Sequence, residues 1–291
     1  NCPYWHGVFG GLYLPHLRNA IYAELIKADK LAEEIAGERA GCLTRDFDCD
    51  GTAEVKLFNR RLALYLHPAR GGHLYELDLR DVDFNLADTL SRRYEAYHEK
   101  VPQATLCDPS AVTTIHGLIR AKEEGLEKFL KYDSYLRESL VDHLSPRELT
   151  PEDFQSGDPP SLPLFRSGAY RAVLRAPEAA GIRSGAGGSS GALGTREAPS
   201  GRERSSDEPA GDVRAVELAR SDLWQGGQIE LRKRVELEEG SAFRVEYTLT
   251  RGPGAAAAGF LAVEMNYNLL AGEARDRYYF LEGDPQAGCL S

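Results

Sequence analysis

Leu17, Ile21, Leu25, Ala28, Ala32 and Ile35 recur at three- and four-residue spacing, which gathers them into one apolar stripe along a helix. Pro15 stands where a first helical turn tolerates a missing N–H, and Gly37 or Gly41 supplies a stop. The pattern therefore predicts a helix over 15–36. After residue 44 the period falls to two. Val55 and Leu57, then Leu62, Leu64 and Leu66, alternate with polar neighbours around Asn59-Arg60-Arg61, the signature of a hairpin. Leu74 to Leu79 repeats the alternation after Gly71-Gly72, which reads as a turn.

Beyond residue 212 the two-residue period strengthens. It runs through Ile229, Leu231, Val235 and Leu237, then Phe243, Val245, Tyr247 and Leu249, then Leu261, Val263, Met265, Tyr267 and Leu269. Many strands joined by Gly/Pro turns, with little helix between them, predict a mainly β chain: a short N-terminal helical segment followed by a large antiparallel β-sandwich. The middle is mixed. Glu123 to Leu140 fits a helix on pattern, while Tyr132 to Leu140 carries aromatic and β-prone residues. Residues 181–211 hold eight Gly, six Ser and two Pro in 31 positions. Such a stretch buries too little apolar area to offset its ordering entropy, so it is expected to be a disordered insert between two strands. The expected division is 1–43 as the end of a helical domain and 44–291 as the sandwich.

Composition narrows the function. Thirty-five basic residues against forty-five acidic ones give a net charge of −10, without the basic face that nucleic acid requires. The longest apolar run, Ala255 to Val263, is half of a membrane span. Five scattered cysteines (Cys2, Cys42, Cys49, Cys107, Cys289), never spaced C-x-x-C, point to a reducing, cytoplasmic compartment and not to a disulfide framework or a zinc site. No nucleotide-binding fingerprint, nucleophile elbow or H-x-x-x-H pair occurs.

Two constellations carry candidate chemistry. Asp46-Phe47-Asp48-Cys49-Asp50-Gly51, followed by Glu54, matches the first half of a calcium loop, in which Asp46, Asp48 and Asp50 would ligate structural Ca2+. The acid of the twelfth position is missing, because Leu57 stands there. Glu54 or a backbone carbonyl would have to close the site; the plain alternative is an Asp/Gly turn. The second is Trp5-His6 beside three glycines, Gly7, Gly10 and Gly11. An aromatic plate next to an imidazole suits a sugar, whose C–H face stacks while its hydroxyls take polar contacts. On the residues alone, Trp5 in a core and His6 as a helix cap is the simpler reading.

The opening Asn1-Cys2-Pro3-Tyr4-Trp5-His6-Gly7-Val8-Phe9-Gly10-Gly11-Leu12-Tyr13-Leu14-Pro15-His16-Leu17-Arg18 strongly resembles a segment of glycoside hydrolase family 57, among its 4-α-glucanotransferases and α-amylases. Asp46 to Val55, Arg70-Gly71-Gly72 with Glu76-Leu77-Asp78, Arg92 to His98, Ser139 to His143, and Asn268 to Gly272 with Asp276 to Tyr279 resemble its C-terminal part, in the right order. The resemblance implies an incomplete (β/α) barrel, a helical bundle and a galactose-mutarotase-like sandwich, of which this chain would hold the last bundle helix and most of the sandwich. It reads as a piece of something longer, stopping before the sandwich is complete. The family's two catalytic carboxylates lie in the barrel, so no catalytic residue is assigned here. Trp5 and His6 would face the active-site mouth and contact an α-glucan or maltooligosaccharide. The leading expectation is a non-catalytic part of an α-glucan-acting enzyme; the runner-up is a stand-alone carbohydrate-binding or structural sandwich. A third reading, epimerase-like chemistry on the sheet, would need His67, His73 and Glu264 to converge.

Overall fold

A computed structural model describes residues 13–103, 105–106, 120–121, 125–175, 214–254 and 259–269. Helix α1 (Pro15–Ala36) opens on Pro15 and closes on Gly37, whose φ of 77° only glycine adopts without strain. The two-residue period then takes over. Strands β1 (Gly41–Arg45), β2 (Glu54–Phe58), β3 (Leu62–His67), β4 (His73–Leu79) and β5 (Phe84–Asn85) form an antiparallel meander in chain order. The expected hairpin at Asn59-Arg60-Arg61 is present. The Asn59 side chain fixes its turn by accepting the N–H groups of Arg61 (2.7 Å) and Leu62 (2.8 Å).

A short parallel pair, β6 (Thr105–Leu106) and β7 (Arg120–Ala121), precedes β8 (Val141–Ser145) and two brief helices, α2 (Pro151–Ser156) and α3 (Pro163–Ser167). The helix expected over Glu123–Leu140 is not formed among the described residues there. Only Leu126–Phe129 makes a single 3-10 turn, after Gly125 at φ 80°. The aromatic and β-prone residues that follow are worth more in extended chain, where the Ser139 N–H reaches the Leu74 carbonyl at 3.0 Å.

Strands β9 (Arg171–Arg175), β10 (Ala215–Trp224), β11 (Gly227–Leu237) and β12 (Phe243–Arg251) make the second sheet, in the order β12-β11-β10-β9. The 181–211 segment lies outside the described residues, and the strands on either side of it pair directly, Ala215 opposite Arg175. Strand β13 (Phe260–Glu264) pairs with β8, and the alternation expected to run on to Leu269 continues as non-strand chain.

The two sheets pack face to face. Leu57, Leu64, Leu66 and Leu74 of the first share one core with Leu218, Leu231 and Val235 of the second. The result is the expected mainly β sandwich with one N-terminal helix. Strands β2 and β3 are buried on both faces, because Phe58, Ala63 and Tyr65 form a smaller cluster on the side away from the main core.

Helix α1 docks on that side through charge. It buries Arg18, Ile26 and Glu33 and leaves the Leu17, Leu25 and Ile35 stripe exposed. Arg18 meets Asp88 at 3.0 Å, Lys56 of β2 meets Glu33 at 2.8 Å and Asp29 at 2.5 Å, and Arg80 meets Glu33 at 2.5 Å.

Candidate functional site

The loop from β1 to β2 carries the alternating aspartates, and its backbone shows why they are needed. Cys49 and Gly51 both take positive φ, 61° and 90°, which coils the loop tightly enough to expose several N–H groups. Asp46 accepts two of them, from Asp50 and Gly51, each at 3.1 Å. Asp48 accepts the Asp50 N–H at 3.0 Å through Oδ1. Asp50 accepts the Thr52 N–H (2.8 Å) and hydroxyl (2.5 Å) through Oδ1, and these bonds hold its carboxyl below the usual range. The odd-position aspartates therefore divide. Asp46 braces the loop, whereas Asp48 and Asp50 turn toward the start of β2 and the end of β3.

There they meet Glu54 and His67. One ligand atom from each of Asp48, Asp50, Glu54 and His67 lies within 4.8 Å of all the others. His67 Nε2 stands 3.4 Å from Asp50 Oδ2 and 3.6 Å from Glu54 Oε1. Glu54 is wholly buried. Its Oε2 accepts the Phe47 N–H at 2.6 Å, while its Oε1 has no hydrogen-bond partner. Glu54 was visible in the sequence as a possible closing residue of this loop; His67, thirteen positions further along, was not.

A second feature is an open cleft of about 670 Å³ where the start of α1 meets the chain after β5, helix α2 and the chain after β13. Arg18 and Asp88 form its floor, and Tyr13, Phe154 and Tyr267 supply aromatic surface. Arg137 stands at its edge, bonded to Asp133 at 2.9 Å and to Glu264 at 2.6 Å. Rings interleaved with fixed polar groups suit a polyhydroxylated ligand. Trp5 and His6 lie outside the described residues, so their placement relative to this cleft is not part of the geometry.

The three residues needed for epimerase-like chemistry do not converge. His67 faces the aspartate loop. His73, 1% exposed, is held by Glu138 (2.9 Å) and the Arg166 carbonyl (2.6 Å). Glu264 is held by Tyr135, Arg137, His143 and Asn266 at 2.6–2.9 Å. Burial works to raise the Glu264 carboxyl, but these four donors outweigh it and hold it at about 2. A carboxylate so fully satisfied is a strut and not a proton carrier.

Comparison with known proteins agrees with this architecture. A family model described as "Alpha-amylase/4-alpha-glucanotransferase, C-terminal" matches residues 46–291, and the middle-domain model of the same family matches residues 1–32. The chain belongs to the alpha-amylase/4-alpha-glucanotransferase family. It is 44% identical over 153 residues to "Alpha-amylase 1" of Dictyoglomus thermophilum, covering 53% of this chain and 22% of that one. It is 39% identical over 176 residues to the "4-alpha-glucanotransferase" of Thermococcus kodakarensis, covering 60% of this chain and 26% of that one. The crystal structure of 4-alpha-glucanotransferase from Thermococcus litoralis shares the fold with a TM-score of 0.64 at 24% identity, covering 96% of this chain and 34% of that one. The chain thus spans about a third or less of the relatives it matches.

Proposed function

We infer that this chain is the C-terminal, non-catalytic part of an enzyme acting on α-1,4-glucans, and that it supports an active site carried elsewhere. The exposed apolar stripe of α1 carries the reading. Leu25, Leu31 and Ile35 are 55%, 56% and 80% exposed on a helix that is clamped to the sandwich elsewhere on its surface by buried ion pairs. A helix held to its own domain largely by buried charges, with large apolar side chains left in solvent, is built to be covered. Residues 1–32 match the family's middle domain, so the rest of that domain is the cover this reading supplies. α1 then transmits the position of the sandwich to the segment before it, where Trp5 and His6 contact the glucan.

The names of the matched relatives, amylases and glucanotransferases, support an α-glucan or maltooligosaccharide as the ligand on this reading. Among the described residues, Cys42 and Cys49 are free, which suits a cytoplasmic setting, and no helix is long and apolar enough to cross a membrane.

The test is turnover of maltooligosaccharides by the isolated chain and by the full-length parent. The isolated chain should show none. In the parent, Trp5→Ala and His6→Ala should each lower the rate on the order of 10²-fold, the cost of a misplaced substrate, without unfolding the sandwich. The cleft beside Tyr13 favours a second reading, a stand-alone carbohydrate-binding sandwich. Maltooligosaccharide binding by the isolated chain, together with parent rates that ignore both substitutions, would decide for it.

A further inference from the structure

We propose that Asp48, Asp50, Glu54 and His67 form a binding site for a divalent transition metal of the zinc and manganese class, and that this ion clasps the β1–β2 loop to the end of β3. The proposal is independent of any role in glucan chemistry.

The first support is an unmet polar group. Glu54 is 0% exposed, yet its Oε1 has no hydrogen-bond partner. A buried carboxylate oxygen without a donor is costly, and proteins rarely leave one unless something else satisfies it. The atom it faces, His67 Nε2, is 3.6 Å away, too far for a hydrogen bond. The same nitrogen stands 3.4 Å from Asp50 Oδ2, a weak bond at best. An imidazole nitrogen nearly equidistant from two carboxylate oxygens, and well bonded to neither, is the spacing a shared cation leaves.

The second support is metric. Ligands at about 2.1 Å from a tetrahedral centre are about 3.4 Å from one another. The two distances from His67 Nε2 are 3.4 and 3.6 Å, and all four ligand atoms lie within 4.8 Å. Small side-chain shifts would close the shell.

The donor set then selects the ion. Calcium takes six to eight oxygen ligands, and an imidazole adds little for it, whereas zinc and manganese accept mixed imidazole and carboxylate shells. The oxygen-only set expected of the aspartate loop is not the group the fold brings within 4.8 Å: Asp46 braces the loop by accepting two backbone N–H groups, and His67 joins Asp48, Asp50 and Glu54. Charge also closes. Three carboxylates and a divalent ion leave one negative charge, and Arg70 lies 3.2 Å from Asp50 Oδ2 to neutralise it.

The experiment uses the whole chain carrying Cys49→Ser, which removes the exposed thiol of the same loop as a competing ligand. The protein is stripped with chelator and titrated separately with Zn2+, Mn2+ and Ca2+, reading bound metal per chain and melting temperature. One Zn2+ or Mn2+ per chain is expected, with a rise of roughly 5–10 °C at about a hundred times the dissociation constant, and a much smaller response to Ca2+. Asp48→Asn lies on the exposed loop and cannot disturb the core; it should weaken Zn2+ binding at least tenfold. Glu54→Gln should abolish the metal-induced rise while leaving the metal-free protein at least as stable as its parent, because it removes an unpaired buried charge. His67→Gln should erase the preference for Zn2+ over Ca2+. The proposal is overturned if no metal raises the melting temperature, if the rise survives Asp48→Asn and Glu54→Gln, or if Ca2+ binds as tightly as Zn2+ and ignores His67→Gln.

Discussion

Lys233 and Asp142 face each other at 2.9 Å in the centre of the sandwich, and neither side chain is exposed at all. Burial pulls the Lys233 ammonium down from its ordinary range, and Asp142 pushes it back up. The surrounding bonds complete the network. Lys233 donates to the carbonyls of Gly71 (2.9 Å) and Leu140 (2.8 Å), and Asp142 accepts the hydroxyls of Tyr170 and Tyr247, each at 2.9 Å. One cation thus ties β11 to the turn before β4 and to the start of β8.

Removing one member strands the other. Lys233→Met should lower stability by about 3–5 kcal/mol, because Asp142 would remain charged and buried without its counterion. Lys233→Met combined with Asp142→Asn should recover a large part of that loss. Denaturant unfolding of the two single variants and the double variant measures the coupling directly. Strictly additive effects would show that the pair is not coupled.

A conformational demand sits beside this pair. Gly71 holds φ at 66°, and a Cβ there would lie 2.2 Å from His73 Nε2 and 2.5 Å from the Arg166 carbonyl oxygen. Both obstacles are fixed, since those two atoms are themselves hydrogen-bonded. Gly71→Ala should therefore cost about 2–4 kcal/mol, from left-handed backbone strain and overpacking together. Thermal melting of the single variant is enough to check it.

The strand periodicity made the sandwich legible because β11 alternates along its whole length and β2 and β3 keep Val55, Leu57, Leu62, Leu64 and Leu66 in the main core. Its informative failure is Lys233. In β11 the inward positions are 227, 229, 231, 233, 235 and 237, and the alternation of Ile229, Leu231, Val235 and Leu237 skips the lysine between them. A skipped position in an otherwise perfect stripe was the signal that a charge is buried there, and only its partner was hidden. Helix α1 misled in the opposite way: its apolar stripe was plain, but the face it turns to the sandwich is Arg18, Ile26 and Glu33. Periodicity locates a face and is silent on what covers it. The metal candidate was half legible. The aspartates share one loop, whereas His67 reaches them only through the β2–β3 pairing that sets Val55 opposite Leu66. Glu264 and His143 meet through the β8–β13 register, across 121 positions, which no local pattern encodes.

The buried carboxylates of β4 set a pH dependence. Burial pushes the Asp78 carboxyl up to about 7, with a hydrogen bond from Glu76 working against it and the charge of Asp29 adding to it. The folded state therefore keeps a proton that the unfolded chain gives up near pH 4. This contribution is full below about pH 4 and is lost as pH rises through about 7. Asp78→Asn stays neutral throughout. Its melting temperature relative to the parent should be unchanged near pH 4 and should climb steadily to about pH 8. A difference that does not vary with pH would assign Asp78 a purely steric role.

The apolar stripe of α1 gives the prediction that bears most directly on function. Leu25 and Leu31 are more than half exposed; Leu31 sits on the side of the helix away from the Arg18–Asp88 and Lys56–Glu33 clamps, and Leu25 on the flank between the two sides. In the isolated chain, Leu25→Glu and Leu31→Glu should each move stability by no more than about 0.5 kcal/mol, the ordinary range for an exposed site. In the full-length parent the same stripe is covered by the rest of the middle domain on the reading proposed above. A carboxylate placed there would be buried without a partner, so the double variant should lose several kcal/mol and, with it, turnover of maltooligosaccharides. Differential melting of the two lengths of protein separates the outcomes. If the parent tolerates both glutamates as well as the isolated chain does, the stripe is not an interface, and support of the active site must run through some other surface of the sandwich.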